Sequence, residues 1–190
     1  FGANKDAVLK HYTHSTEAYQ LYLQGRFHYN KWTSDGFLKA VNYFKAAIAI
    51  EPKYAIAFTG IASCYLNLWF FSHLPPEHTV PQMKQASEHS LALDDTVAES
   101  HIAMARLKMY YEWDLEHAAE EFIKAIALNP NMAEAHEQYG YCLALSGNYP
   151  EALKYADSAF ALDPFSLMNN NHIALLYWMS GDYKKGIAQG

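Results

Sequence analysis

The residues of this chain that could do chemistry are its ten histidines and two cysteines. A metal ion needs three or four ligands at fixed spacing, drawn from His, Cys, Asp and Glu. His11 and His14 stand three apart, and His117 lies near Glu120 and Glu121, so either group could set two ligands on one helical face. Neither brings a further ligand at a known spacing, so no metal and no cofactor are expected. Cys64 and Cys142 lie far apart and form no CxxC pair. They are expected to be small buried residues rather than nucleophiles, in a reducing compartment, with a disulfide between them as the lesser alternative. The phosphate loops GxGxxG and GxxxxGK(S/T) are missing, as are the nucleophile elbow GxSxG and the zinc helix HExxH. No catalytic residue is identified, and the chain is expected not to be an enzyme.

Charge narrows the partners. Lys and Arg number 14 against 20 Asp and Glu, for a net charge of −6, and the basic residues are scattered. Binding phosphates needs a concentrated basic face, so no nucleic acid is expected. No apolar run approaches the ~20 residues of a membrane span, so no membrane partner is expected either. There is no signal-peptide pattern, and no asparagine heads an N-x-S/T acceptor. Together with the cysteine usage this points to the cytoplasm. The 190 residues could form one domain or two, burying roughly 70% of the unfolded surface.

The elements that must position any site follow from a repeat. AIAIEPKYAIAF at 47–58, SLALDDTVAESH at 90–101, AIALNPNMAEAH at 125–136 and AFALDPFSLMNN at 159–170 share one pattern, spaced 43, 35 and 34 residues. Periods of about 20–50 residues mark arrays of one supersecondary unit. After each such joint a first helix is predicted, with small residues at Gly25, Ala62, Ala105, Gly140 and Ala174. A second helix follows, carrying Ala40, Phe44 and Ala47, then Ala118, Phe122 and Ala125, then Ala152, Ala156 and Ala159. Small faces let two helix axes approach to about 8 Å, with aromatics filling the gaps between pairs. In the second repeat Met83, Ser87 and Ser90 stand at these places, and Asp95 replaces the proline. Gly147 and Gly181 are predicted to take the left-handed turn between helices. Pro52, Pro130 and Pro164 stop the second helices. EWDLEHAAEE reads as a helix start whose carboxylates favour the positive end of the dipole. His101 and His136 hold equivalent bulky places between helices and are expected to pack there.

These features resemble the tetratricopeptide repeat, from Ser15 to the end of the chain. The fold expected is all-α, a right-handed superhelical solenoid of antiparallel helix pairs with about 4.5 repeats. Residues 1–14 are read as a lead-in segment and 15–190 as the array, with repeats at about 18–54, 55–97, 98–132, 133–166 and a truncated 167–190. Against a unit of about 34 residues, repeat one gains three near HYNKWTSDG, repeat two nine in LNLWFFSHLPPEHTV (66–80) and repeat three one near YYEWDLEHA. Pro75, Pro76 and Pro81 are expected to make part of the 66–80 insertion non-helical. Trp69, Phe70 and Phe71 either ride on a longer first helix and are buried against neighbours, or form an exposed contact patch.

The resemblance implies where a partner would lie: against a concave wall built from one face of each first helix. It places there Tyr19, Tyr22, Arg26 and Tyr29, then Thr59, Ser63 and Asn67, then Glu99, Ile102 and Arg106. Glu134, Glu137 and Tyr141 follow, and finally Asn171 and Trp178. Tyr and Arg are favoured interface anchors, so Tyr19, Tyr22, Arg26 and Tyr29 lead. The alternative is that these tyrosines pack against residues 1–14. The carboxylate grip of some co-chaperones in the family is not expected, because the equivalent places hold Tyr22, Arg26, Gly60, Glu99 and Ala103. YLQGRFHYNKWT, EWDLEHAAEEFIKAIALNPNMAEAHEQYG and ALDPFSL are similar to repeats that follow effector domains in bacterial regulators: class III nucleotide cyclases, winged-helix regulators or Ser/Thr kinases. The resemblance thus implies a non-enzymatic protein–protein interaction module that takes a protein or peptide partner, as the regulatory or sensory part of a larger signalling protein. Two alternatives stay open. One is self-association with a second copy, through residues 69–71 or the open end at Gly190; the other is small-molecule sensing.

Overall fold

The computed structural model describes residues 13–189, and every regular element among them is helical. They fall into two compact units that divide after Leu107. The first holds α1 (Thr16–Tyr29), α2 (Ser34–Ile50), α3 (Ala55–Phe70), α4 (Pro76–Leu93) and α5 (Ala98–Leu107). The second opens with a π-helical turn, Lys108–Glu112, followed by α6 (Leu115–Leu128), α7 (Ala133–Leu145), α8 (Tyr149–Leu162), α9 (Leu167–Met179) and α10 (Tyr183–Gln189). Within each unit, helices consecutive in the chain pack on one another. The first helices of successive pairs also lie side by side, α3 with α5 in one unit and α7 with α9 in the other. Of the lead-in segment, Thr13 donates its hydroxyl to Glu51 Oε2 at 3.2 Å; residues 1–12, His11 among them, lie outside the described residues.

Helix starts follow local chemistry. Ser15, Thr33 and Asp114 each accept a backbone N–H from the residue three further on, at 3.2, 3.0 and 3.2 Å, which satisfies one of the four donors a helix leaves open. Pro76 begins α4, where a missing N–H costs nothing. Pro81, expected to lie outside a helix, sits inside α4. It is early enough that only the bond to the carbonyl of Glu77 is forgone.

The small faces are where the pairs close. Ala40, Phe44 and Ala47 on α2, Ala118, Phe122 and Ala125 on α6, and Ala152, Ala156 and Ala159 on α8 are all completely buried. The Phe44 ring is held edge to edge by two glycines. A Cβ on Gly25 would stand 2.5 Å from its Cε1, and one on Gly60 2.6 Å from its Cε2. In α4 the serines take the alanine places and spend their hydroxyls inside the core. Ser90 Oγ donates to Ala55 O at 2.9 Å and lies 2.7 Å from Ser100 Oγ, and Ser87 Oγ donates to Ala103 O at 3.3 Å.

Two departures from the repeat length have structural answers. The residue gained in repeat three is absorbed by the π turn, the form that a single insertion takes in a helix. The N–H of Asp114 then reaches back to Lys108 O at 3.0 Å. The residues gained in repeat two lengthen α3 through Phe70 and α4 from Pro76, leaving only 71–75 between them. In the turns, Gly147 and Gly181 are left-handed at φ 81° and 85°, as expected. The earlier turns put Trp32, Ser72 and Trp113 in the same region, at φ 52°, 55° and 57°, each at a cost on the order of 1–2 kcal/mol. Trp32 is held there by ring contacts to Tyr29, Phe37 and Phe71 at 5.7–6.2 Å.

The joints between pairs share a lock that spans six residues. His101 Nε2 donates to Asp95 O and His136 Nε2 to Pro130 O, both at 2.8 Å, and Asn170 Nδ2 donates to Pro164 O at 3.1 Å. Each donor stands at the twelfth place of the repeated stretch and its acceptor at the sixth. The first joint has Phe58 there, which cannot donate; its ring packs on His89 at 4.7 Å instead. The lock predicts that His136→Ala lowers stability by about 1 kcal/mol in chemical denaturation, while His136→Asn, the residue used at 170, retains most of it. Equal losses in both would show that ring packing rather than the hydrogen bond matters. Gly60→Ala should cost about 1–3 kcal/mol in the same measurement, because the enclosed Phe44 ring has no free direction to yield.

Candidate functional site

In the first unit, α1, α3 and α5 bring part of the expected wall together. Tyr22 is buried, its ring 5.6 Å from those of Phe44 and Tyr54, and its hydroxyl accepts from Arg26 Nη1 at 3.2 Å. Tyr29 is half-buried against Trp32 and Phe37, and its hydroxyl accepts from Asn67 Nδ2 on α3 at 2.9 Å. Tyr19 is half-buried and Arg26 exposed. Thr59 is buried with its hydroxyl given to Ile56 O at 2.8 Å, so it supports the helix rather than facing a partner. Ser63 and Arg106, both half-buried, stand over the buried Ala62, Leu66, Met83 and Ala103. Ile102 is buried and Glu99 half-buried on α5. The tyrosines expected to anchor a partner are thus partly committed within the unit: Tyr22 packs inward, while Tyr29 is half-buried and bonded to Asn67.

Trp69 and Phe70 lie on α3 rather than in a loop, and Phe71 caps it. The longer helix half-buries Trp69 but leaves Phe70 56% and Phe71 45% exposed. The Phe71 ring meets Phe70 at 5.3 Å and Trp32 at 6.2 Å. The turns of the first two repeats therefore share one aromatic cluster, a connection that sequence spacing did not reveal.

The second unit has its own face, on α7 and α9. Glu134 and Asn171 are exposed, Tyr141 is half-buried, and Trp178 is exposed with its ring edge-on to Tyr183 at 5.3 Å. Glu137, expected to face outward, is 3% exposed. Its carboxylate accepts Gln138 Nε2 at 3.0 Å on both oxygens and contacts His172 Nδ1 from α9. Gln138 Oε1 in turn accepts the hydroxyl of Tyr110 at 3.2 Å. The Tyr141 ring lies between those of Tyr110 and His172 at 6.2 and 6.3 Å. Gln138, Tyr110 and His172 escaped the sequence reading because their partners come from other turns of the chain. Burial raises the Tyr141 phenol above its usual range, and the Glu137 charge adds to the rise.

Groups that could do chemistry are occupied structurally. His117 Nδ1 bonds the Asp114 carboxylate at 2.8–2.9 Å beside the start of α6. That bond holds the Asp114 carboxyl below its usual range and raises the imidazole. Among the described residues no three His, Cys, Asp or Glu side chains come together as a ligand set. Cys64 and Cys142 are buried and unpaired. Burial pushes both thiols up, Cys142 to about 11, and Cys142 Sγ donates to Leu115 O at 3.4 Å. A thiol pushed up to about 11 keeps on the order of a hundredth of the usual thiolate at pH 8. Both cysteines should therefore label roughly a hundredfold more slowly with a disulfide reagent in the native chain than in urea. Fast native labelling of either would contradict its burial.

Residues 114–166 match the model of the tetratricopeptide repeat family. Among curated relatives, the transcriptional regulator HilA of Salmonella typhimurium is 22% identical over 152 residues, which cover 79% of this chain and 27% of HilA. The chain thus spans about a quarter of the length of the curated relatives it matches. Among solved structures, TTC0263, a thermophilic tetratricopeptide protein of Thermus thermophilus, is similar with TM-score 0.69 and 21% identity, covering 90% of this chain and 87% of that one. YrrB, described as a tetratricopeptide protein with an unusual peptide-binding site, aligns with TM-score 0.51 and 18% identity, covering 98% and 88%. Residues 114–166 thus match the tetratricopeptide repeat, and the described residues share the all-α fold of solved tetratricopeptide structures. Proteins of this fold are typically non-catalytic scaffolds that bind protein or peptide partners.

Proposed function

We propose that this chain is a non-catalytic docking module that takes an extended segment of a protein partner along the first-helix face of its first unit, as the regulatory part of a longer signalling protein. The observation that carries the reading is the placement of Arg26, the Tyr29–Asn67 pair, Ser63 and Arg106 on three neighbouring helices of the first unit. A row of hydrogen-bonding groups suits a peptide, whose backbone needs donors and acceptors. The peptide-binding site named for YrrB supports this use of the fold. The regulatory context is supported by HilA, a transcriptional regulator whose matched part is a fraction of its length. Two buried, unpaired thiols suit a cytoplasmic setting.

Self-association is the second reading, favoured by the exposed Phe70 and Phe71 beside Trp32. A pull-down from native lysate separates the two, comparing the wild-type chain with an Arg26→Glu, Asn67→Ala double variant of equal helicity. The docking reading expects a protein partner retained by the wild type and at least about tenfold depleted with the variant, the loss typical of interface anchors. Equal recovery on both would overturn the first-unit face. Light scattering decides the second reading: a monomer at all concentrations removes it.

A further inference from the structure

We propose that the Glu137–His172 contact is a proton-operated latch holding α9 on α7, firm while His172 carries its imidazolium charge and slack once that charge is lost. The geometry comes first. Glu137 is 3% exposed, so water does little to stabilise its carboxylate. Its hydrogen-bond partners are Gln138, the next residue on the same helix, and His172 on α9. Gln138 supplies an amide dipole and no charge, and its other end is fixed by the Tyr110 hydroxyl of the π turn. Tyr141, on the same helix, faces the carboxylate with a phenol that stays neutral near pH 7. Glu134, one turn earlier on α7, is exposed and of the same sign. Among the described residues, His172 is the hydrogen-bond partner of Glu137 that can carry a positive charge.

Histidine is also the side chain whose charge ordinarily changes between about pH 5 and 8. A neutral imidazole still donates Nδ1–H to the carboxylate, so the contact persists, but its charge-assisted part disappears. The stabilisation is therefore present on the acid side of the histidine titration and is lost as pH rises through it. The Tyr141 ring, lying nearly parallel to His172 at 6.3 Å, keeps the imidazole in register in either state. What the latch secures is the attachment of α9, which bears Asn171 and Trp178, to α7. The inference does not depend on the docking reading of the first unit, because every residue in it belongs to the second.

Hydrogen exchange on the intact chain tests it. Protection of the α9 amides, corrected for the intrinsic exchange rate, should fall roughly three- to tenfold between pH 6 and 8.5. Protection of α2 in the first unit should stay level. His172→Gln keeps a donor at the contact without a titrating charge, and in it the fall should vanish. Glu137→Gln removes the buried charge and should abolish the fall as well, so that either variant decides the matter if the other does not fold. An unchanged α9 in the wild type, or the same fall in a folded variant, overturns the latch.

Discussion

The structure depends on side chains that are nearly absent. A helix pair closes only where one surface carries no more than a methyl group, and here that surface is the run of buried alanines on α2, α6 and α8. Close approach places many weak dispersion contacts at their optimum, and those contacts are lost quickly if the gap opens. Phe44 shows how tight the requirement is. One ring, fully buried, fills the space left by two missing side chains on two different helices. The ring ties the pair α1–α2 to α3, so a single position couples packing within a repeat to packing between repeats. Where serine replaces alanine on α4, the extra oxygen would be costly if left dry. It is tolerated because Ser87 and Ser90 find carbonyl acceptors on α5 and α3.

Close packing alone would leave the angle between successive pairs free, and the joints remove that freedom. Each second helix ends where its last N–H reaches the carbonyl four residues back, as Glu51 does to Ala47 and Asn129 to Ala125. The chain then turns on a proline, or on Asp95 in one copy. At three of the four joints a side chain from the next helix reaches back to the carbonyl of that same residue and closes the turn from outside. Imidazole and carboxamide are chemically distinct, yet both present an N–H at similar reach, which explains why His and Asn interchange at this place. With pair closure and joint angle both set, the first-helix face within a unit is presented as a fixed surface. Rigid presentation lowers the entropy that a partner's binding must overcome.

Much of this was legible in the sequence. The alanine faces, the left-handed Gly147 and Gly181 and the prolines at the joints were recognisable because each reflects a local rule: spacing, φ preference or a missing N–H. What escaped detection depended on long-range partners. Trp32 and Trp113 occupy left-handed turns that local preference assigns to glycine; for Trp32 the surrounding rings supply the reason. Gly60 is ordinary in its own helix and becomes necessary only when Phe44 arrives from another. Pro81 reads as a helix breaker, yet it stands within the first turns of α4. The wall is the clearest case. The resemblance to the tetratricopeptide repeat placed Tyr22, Thr59 and Glu137 on the outward face, and neighbours within each unit cover all three. Period fixes a direction around one axis; depth is fixed by whatever packs against it.

The candidate faces have a common chemistry that bears on recognition. Their polar groups are already joined to one another: Arg26 to Tyr22, Asn67 to Tyr29, and Glu137 to Gln138 and His172. A partner forming hydrogen bonds here exchanges existing bonds for new ones, so each exchange yields little net free energy. A mismatched partner that breaks such a bond without replacing it leaves a part-buried polar atom unsatisfied, which costs more than a good match gains. The asymmetry makes these faces better at rejecting wrong ligands than at holding right ones tightly. Affinity must then come from the exposed rings, because Ala62, Leu66 and Ala103 are themselves buried. Specificity by penalty and adhesion by area thus reside in different side chains of one face, and substitution can alter either without the other.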